Sequence, residues 1–228
     1  DEYAEKHGNV TAQNITYDFT NAEVGEFLID ETEENRDEVS IGYIDGCAGV
    51  YTELTFTDEF LTSLRNIHGG QKDYISAAIN QAALRIYIDG AEYDYTLIDP
   101  ISMSEKLNSS ITRLGIYTNY KTTTPIPDYL YSQENSGILY YNGYMNRSLA
   151  CYEMNISSYM QALVNEVLKL EEGSDGKLDF TKLNVPRTIY LAPGAYDRFT
   201  FKRSLIQGCD EQTTPATIQL DLTYTLVK

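Results

Sequence analysis

The chain contains no tryptophan, two histidines and three cysteines among 228 residues. Without tryptophan it lacks the largest flat ring for stacking on a sugar or a base. Catalysis by a serine or cysteine paired with histidine has only His7 and His68 to draw on. His7 lies in a polar N-terminal stretch, and His68 falls at the end of an expected helix, where a cation suits the helix dipole. No G-x-S-x-G elbow, P-loop, G-x-G-x-x-G or H-E-x-x-H pattern occurs, so hydrolases and nucleotide enzymes of those kinds have no motif here. Cys47, Cys151 and Cys209 stand far apart and show no CxxC spacing. Neither a metal site nor a thioredoxin-like pair is expected, no cofactor is implied, and at most one internal disulfide can form. The expected role of these thiols is that of small buried hydrophobes.

Basic residues are scarce as well. Seventeen stand against thirty-four acidic ones, a formal charge of −17. Such a surface repels a phosphate backbone and anionic lipid headgroups, which argues against nucleic acid as a partner and for charge as a solubility device. No run approaches the roughly twenty apolar residues that span a bilayer. No signal peptide is visible, and a start at Asp1 rather than Met is expected of a mature protein or a trimmed chain.

What is present is alternation. In SIGYIDGCAGVYTELTF, Val50, Thr52, Leu54 and Phe56 fall on one face and Tyr51, Glu53 and Thr55 on the other. In INQAALRIYI, Ala82, Leu84, Ile86 and Ile88 are expected inward, with Ala83, Arg85 and Tyr87 outward. A period of two marks strands with one buried and one wet face. Between them Thr57 can cap a helix from Asp58 to about His68, with Phe60, Leu61, Leu64 and Ile67 on one face and Gly69-Gly70 as its stop.

Upstream, Ile15, Tyr17 and Phe19 fit one short strand, and Glu23 to Glu38 holds eight acidic residues against one arginine, the composition of a solvated loop. Downstream, Asp89-Gly90 is a turn signal, Tyr93 to Ile98 reads as a strand and Asp99-Pro100 breaks it. A strand over Thr112 to Thr118 places Leu114 and Ile116 on one face, and Asn119 to Asp128 reads as an irregular exposed loop. Ser158 and Gln161 form a capping box for a helix whose stripe is Met160, Leu163, Val164, Val167 and Leu168. Strands follow over Arg187 to Ala192, Phe199 to Ile206 and Thr217 to Val227, the last with Ile218, Leu220, Leu222, Tyr224 and Leu226 inward. The expected fold is mainly β: an antiparallel, jelly-roll-like β-sandwich with about two packed helices. Residues 1–38 form an N-terminal strand and acidic loop of the same domain, and 39–228 the sandwich itself.

The pairing of GCAGVYTELTF with INQAALRIYI, followed by ISSYMQALVNEVL, RTIYLAPGA and the closing TIQLDLTYTLV, resembles the surface-lipoprotein family called domain of unknown function forty-two-seventy. The likeness runs from about Val39 to Lys228. That family belongs to the cell envelope of Bacteroidetes and brings no established activity and no catalytic residues. The resemblance implies a secreted, mainly β protein held at the outer membrane or cell surface of a Gram-negative bacterium by a lipid anchor outside this chain. It also implies strands from Gly137 to Tyr144 and from Leu149 to Ile156.

One composition stands out for chemistry. Seven of the twenty tyrosines lie between Tyr117 and Tyr144. A phenol ring offers an apolar face with a hydroxyl at its edge, which suits a sugar or a protein partner. Tyrosine also favours strands, where half the rings face the core. Tyr129, Tyr131, Tyr140, Tyr141 and Tyr144 are therefore the candidate ligand-binding residues of a non-enzymatic surface module that takes a glycan or protein partner. A structural or assembly component of the envelope, with those rings as core, is the alternative. A glycosidase built on a carboxylate pair stands third, since thirty-four acids permit one without indicating it. Five sequons begin at Asn9, Asn14, Asn108, Asn146 and Asn155 and are incidental in a bacterial protein.

Overall fold

The computed structural model describes residues 41–67, 76–91, 99–119, 121–134, 138–173, 177–208 and 218–228. The expected strand at Ile15–Phe19, the acidic loop Glu23–Glu38, both histidines, Gly69-Gly70, the strand Tyr93–Ile98 and Cys209 lie outside the described residues. In chain order the elements are β1 (Ile41–Asp45), β2 (Thr52–Thr55), α1 (Asp58–Arg65), β3 (Ser76–Tyr87), α2 (Pro100–Ser109), β4 (Leu114–Asn119), β5 (Thr124–Pro125), α3 (Pro127–Glu134), a helical turn at Ile138–Tyr141, β6 (Asn142–Asn146), β7 (Cys151–Asn155), α4 (Ser157–Lys169), β8 (Thr188–Pro193), β9 (Arg203–Gln207) and β10 (Gln219–Val227). The fold is mainly β and its sheets are antiparallel, in the orders β10-β3-β7-β6, β2-β8-β4-β5 and β1-β9.

Strand β3 is the axis of the largest sheet. Ala82, Leu84, Ile86 and, just beyond the strand, Ile88 are all buried, as the alternation requires. Single bridges stitch the sheets together: Ile88 with Ile206 joins β3 to β9, and Arg113 with Tyr144 joins β4 to β6. One hydrophobic core results, shared by Ile44, Phe56, Leu84, Ile116, Tyr152 and Leu191. Leu54 and Leu222 pack against its margin. Ala83 and Tyr87, expected to face water, are nearly covered. Tyr87 is held by a hydrogen bond from its hydroxyl to Gln219 Oε1 (3.3 Å), and Ala83 is too short to emerge between its neighbours. Tyr224 remains 42% exposed at the edge of the sheet, just past a register shift on the β3 pairing at Thr223/Tyr224, so the inward stripe of β10 is open at that position.

Helix α1 starts where Thr57 Oγ1 accepts from Phe60 N–H (3.3 Å), and it buries Leu61 and Leu64. Helix α4 buries Tyr159, Met160, Leu163, Val164 and Val167. Each such aliphatic side chain stabilises the fold by roughly 1.5–3 kcal/mol relative to an exposed position. No described helix is long and apolar enough to cross a membrane, which says nothing of strands.

Two helices depart from the sequence reading. Asp99-Pro100, read as a strand breaker, instead opens α2: the Asp99 carboxylate accepts from the Ile101 and Ser102 N–H groups (both 3.3 Å), and proline occupies the first turn. Helix α3 runs through Pro127–Glu134 and begins inside the loop expected over Asn119 to Asp128, while in the strand expected over Gly137 to Tyr144 the described residues form a helical turn at Ile138–Tyr141 and become extended only at Asn142. Ile126 and Asp128, placed in the exposed loop, are buried.

The capping box at the start of α4 is also replaced. Its N-cap residue, Ile156, has no side-chain acceptor. The carboxylate of Asp128, on α3, accepts from Ser158 N–H (2.8 Å) and Tyr159 N–H (2.9 Å). Ser157 Oγ accepts from Ala82 N–H (2.9 Å). The Gln161 amide accepts from Ile79 N–H (2.7 Å) and donates to the Ala77 carbonyl (3.0 Å). Strand β7 pairs with β3 only from Ala83 onward, so this side-chain amide takes the place of a missing strand along Ala77–Ile79.

Replacing Asp128 by Ala leaves two helix N–H groups without an acceptor in a dry setting. It is expected to lower the unfolding free energy by about 2 kcal/mol, and Asp128→Asn by less, as read from urea midpoints.

Candidate functional site

The five candidate tyrosines separate into two sets. On α3, Tyr129 is buried and Tyr131 is 55% exposed. On the helical turn, Tyr141 is buried while its neighbour Tyr140 is 76% exposed. Tyr144, on β6, is half-buried. The first group brought together is not a platform but a cage. The Arg113 guanidinium lies over the rings of Tyr129 (5.5 Å), Tyr141 (5.6 Å) and Tyr144 (5.0 Å). A delocalised, weakly hydrated cation suits the negative faces of aromatic rings. Its N–H groups are used as well: Nε donates to the Asn142 carbonyl (2.9 Å) and Nη2 to Ser132 Oγ (2.5 Å). Thus three of the five rings are occupied by the protein's own arginine.

Burial leaves a chemical mark on these phenols. Tyr141 is held well above the usual tyrosine range, first by desolvation and then by the Tyr129 phenol, with Arg113 opposing. Its hydroxyl has no hydrogen-bond partner among the described residues. Tyr117, which meets Tyr129 edge-on (5.6 Å) and accepts from Arg198 Nη2 (2.6 Å), is raised chiefly by burial. Burial also raises Tyr152 and Tyr159 and pushes the Cys151 thiol up to about 11.

The second set faces outward, and Tyr140 stands at the rim of a cleft. This depression of about 380 Å³ lies on the outer face of β3 and β7, at the start of β6. Its form follows from the register. Ala83 pairs with Asn155 and Arg85 with Glu153, so these four side chains share the outer face, and the short side chain of Ala83 leaves a floor among longer neighbours. Around it stand Gln81, Asn142, Glu153 and Asn155, with the Tyr140 ring at the edge. Among the described residues Glu153 is the single carboxylate of the lining, and Arg85 binds it through Nε (2.8 Å) while binding Asp221 through Nη1 (2.5 Å). Asn155 Oδ1 accepts from Ser157 N–H (3.0 Å) and Oγ (2.5 Å), which turns its amide nitrogen away from that contact. Asn142 sits in the left-handed region (φ +61°), with its carbonyl fixed by Arg113. The cage therefore anchors the cleft wall.

Of the candidate residues, only Tyr140 reaches the cleft; Tyr131 is exposed elsewhere on α3. Arg113, Gln81, Asn142, Glu153 and Asn155 escaped the sequence reading. The signal for the cleft was one alanine in an otherwise polar outward row, Gln81-Ala83-Arg85. The signal for the cage was one arginine at the start of a tyrosine-rich segment. Compared with protein-family models, curated proteins and solved structures, the chain matches none.

Two measurements check this geometry. Tyr141→Phe removes a buried unpaired hydroxyl and keeps the ring, so it is expected to raise the unfolding free energy by about 1 kcal/mol, whereas Arg113→Lys lowers it by about 2 kcal/mol. Raised phenol values mean that the unfolded chain releases its protons first. The contribution of Tyr117, Tyr141, Tyr152 and Tyr159 is present below the ordinary value of about 10 and is lost as pH rises above it. An absorbance titration of the folded chain should leave these four phenols protonated until alkaline unfolding.

Proposed function

We propose that the chain is a non-enzymatic, extracytoplasmic binding module, a jelly-roll-like sandwich of the cell surface that takes a glycan in the cleft beside Tyr140. The observation that carries the reading is the exposed Tyr140 ring at the rim of a shallow depression lined by two asparagines, a glutamine and a glutamate. Planar amide and carboxylate groups hydrogen-bond neighbouring hydroxyls, and a phenol ring packs on the apolar face of a sugar. The Arg85 bridge spreads the Glu153 charge, so the site suits an uncharged ligand better than a cation. The resemblance to lipid-anchored envelope proteins supports the cell-surface part of the reading. A structural or assembly role is favoured for the rest of the tyrosine cluster by the burial of Tyr129 and Tyr141 around Arg113.

A glycan array probed with the full chain should give at least one neutral ligand. Tyr140→Ala should then bind it roughly tenfold more weakly, the equivalent of about 1.4 kcal/mol, with an unchanged melting temperature. Tyr131→Ala should bind as the parent does. An array without ligands, or a Tyr140→Ala variant that binds normally, overturns the proposal.

A further inference from the structure

The loop between β8 and β9 carries three rings that touch almost nothing. Tyr196 is 91% exposed, Phe199 87% and Phe201 95%. Single exposed hydrophobes are ordinary; three aromatic rings within six residues, two without a polar atom, are a surface kept for contact. Exposure this complete also means a protrusion, since the walls of a groove would cover the rings.

The loop that presents them is pinned from below. Between the rings, Asp197 is buried, and its carboxylate accepts from Thr112 N–H (2.8 Å) and Arg113 N–H (3.0 Å). The Asp197 carbonyl accepts from Thr200 N–H (3.1 Å), and Gly46 N–H donates to the Lys202 carbonyl (3.0 Å). A side chain at Gly46 would collide with the carbonyl oxygens of Asp197 and Thr200, so the two loops lie in direct backbone contact. The rings are thus held outward on a rigid support instead of folding back on the sheet, and little ordering is needed on binding.

Charge distinguishes this tip from the rest of the molecule. Residues 194–203 hold three basic side chains, Arg198, Lys202 and Arg203, against Asp197, leaving fourteen basic and thirty-three acidic residues elsewhere. Arg198 is turned inward over the Tyr117 ring (5.1 Å) and Lys202 lies 3.6 Å from Asp197, while Arg203 is exposed.

We propose that this tip docks on a lipid bilayer surface. Phe199 and Phe201 enter the boundary between headgroups and acyl chains, Tyr196 sits at headgroup level, and Arg203 faces lipid phosphates. A bilayer accepts a convex aromatic tip without a preformed pocket, which a protein partner would have to supply. The acidic body does not prevent this, because charges more than about 8 Å behind the contact are screened at physiological ionic strength, whereas those in the loop act at the surface itself. The proposal is independent of the glycan reading.

Sedimentation of the full chain with vesicles of phosphatidylcholine alone, and of phosphatidylcholine mixed with phosphatidylglycerol, tests it. The chain is expected to sediment with both, and more with the second. The Phe199→Ala/Phe201→Ala variant should partition at least ~10-fold more weakly, since two apolar rings no longer leave water. Arg203→Glu should remove only the preference for the anionic vesicles, and Tyr131→Ala should sediment as the parent does. Absence of sedimentation with either vesicle overturns the proposal, as does a double variant that partitions like the parent. Self-association in the absence of lipid that the double variant abolishes would also overturn it, assigning the tip to an interface between copies.

Discussion

The Arg113 guanidinium inside its ring of tyrosines is the contact from which the candidate site takes its shape. One side chain ties the start of β4 to α3, to the helical turn at Ile138–Tyr141 and to β6, four segments that share no continuous ladder. Its backbone is committed too: the N–H goes to Asp197 and the carbonyl accepts from Gly194 N–H (2.8 Å), so the residue is fixed from both ends. A lysine could supply the charge but not the flat stacking surface or the second directed N–H. With Tyr141 locked inward, Tyr140 as its neighbour on a helical turn must point away, and it does so at the cleft rim. Exposure of the one ring follows from burial of the other.

The same residue joins the two surface features. Asp197 accepts from the Thr112 and Arg113 N–H groups and thereby supports the aromatic loop, while Arg113 Nε holds the Asn142 carbonyl at the cleft. This shared support is a matter of placement. It does not require that the two surfaces act together, and each can be altered through side chains that take no part in the packing, Tyr140 in one and the two phenylalanines in the other.

How far the sequence displayed this varies with the range of the interactions involved. Strands β3 and β4 and the helices at Asp58–Arg65 and Ser157–Lys169 were legible because their signal is periodic and local: Leu84 and Ile86, Leu114 and Ile116, and Leu163, Val164 and Val167 are buried where the spacing puts them. The helix at Pro127–Glu134 was not, because Tyr129 and Tyr131 carry strand propensity and the segment has no clear apolar stripe; its fixed point is Tyr129 against Arg113, a tertiary contact that overrides local preference. The helix start at Ser157 misled for a related reason. Ser158 and Gln161 have the spacing of a capping box, yet Asp128, thirty positions earlier, takes the N–H groups and frees Gln161 to complete the edge of β3. Among the tyrosines, composition marked the right region but could not sort ring from ring, since only the helical phase of residues 140 and 141 decides which faces water.

The cations of the chain are placed in a way that bears on what it can bind. Arg113 and Arg198 lie over tyrosine rings, Arg85 bridges Glu153 and Asp221, and Lys106 is held by the carboxylate (2.7 Å) and carbonyl (2.9 Å) of Asp89. These four cations are held in contacts, and acidic residues outnumber basic ones two to one over the chain, so its field is on balance negative. An anionic ligand would meet repulsion over most of the surface. In the cleft, however, Arg85 is shared between Glu153 and Asp221 and offsets part of their charge, and the remaining polar groups of the described lining are amides and a phenol. The neutral, hydroxyl-rich ligand proposed for this place would gain from directed hydrogen bonds without opposing the field around them.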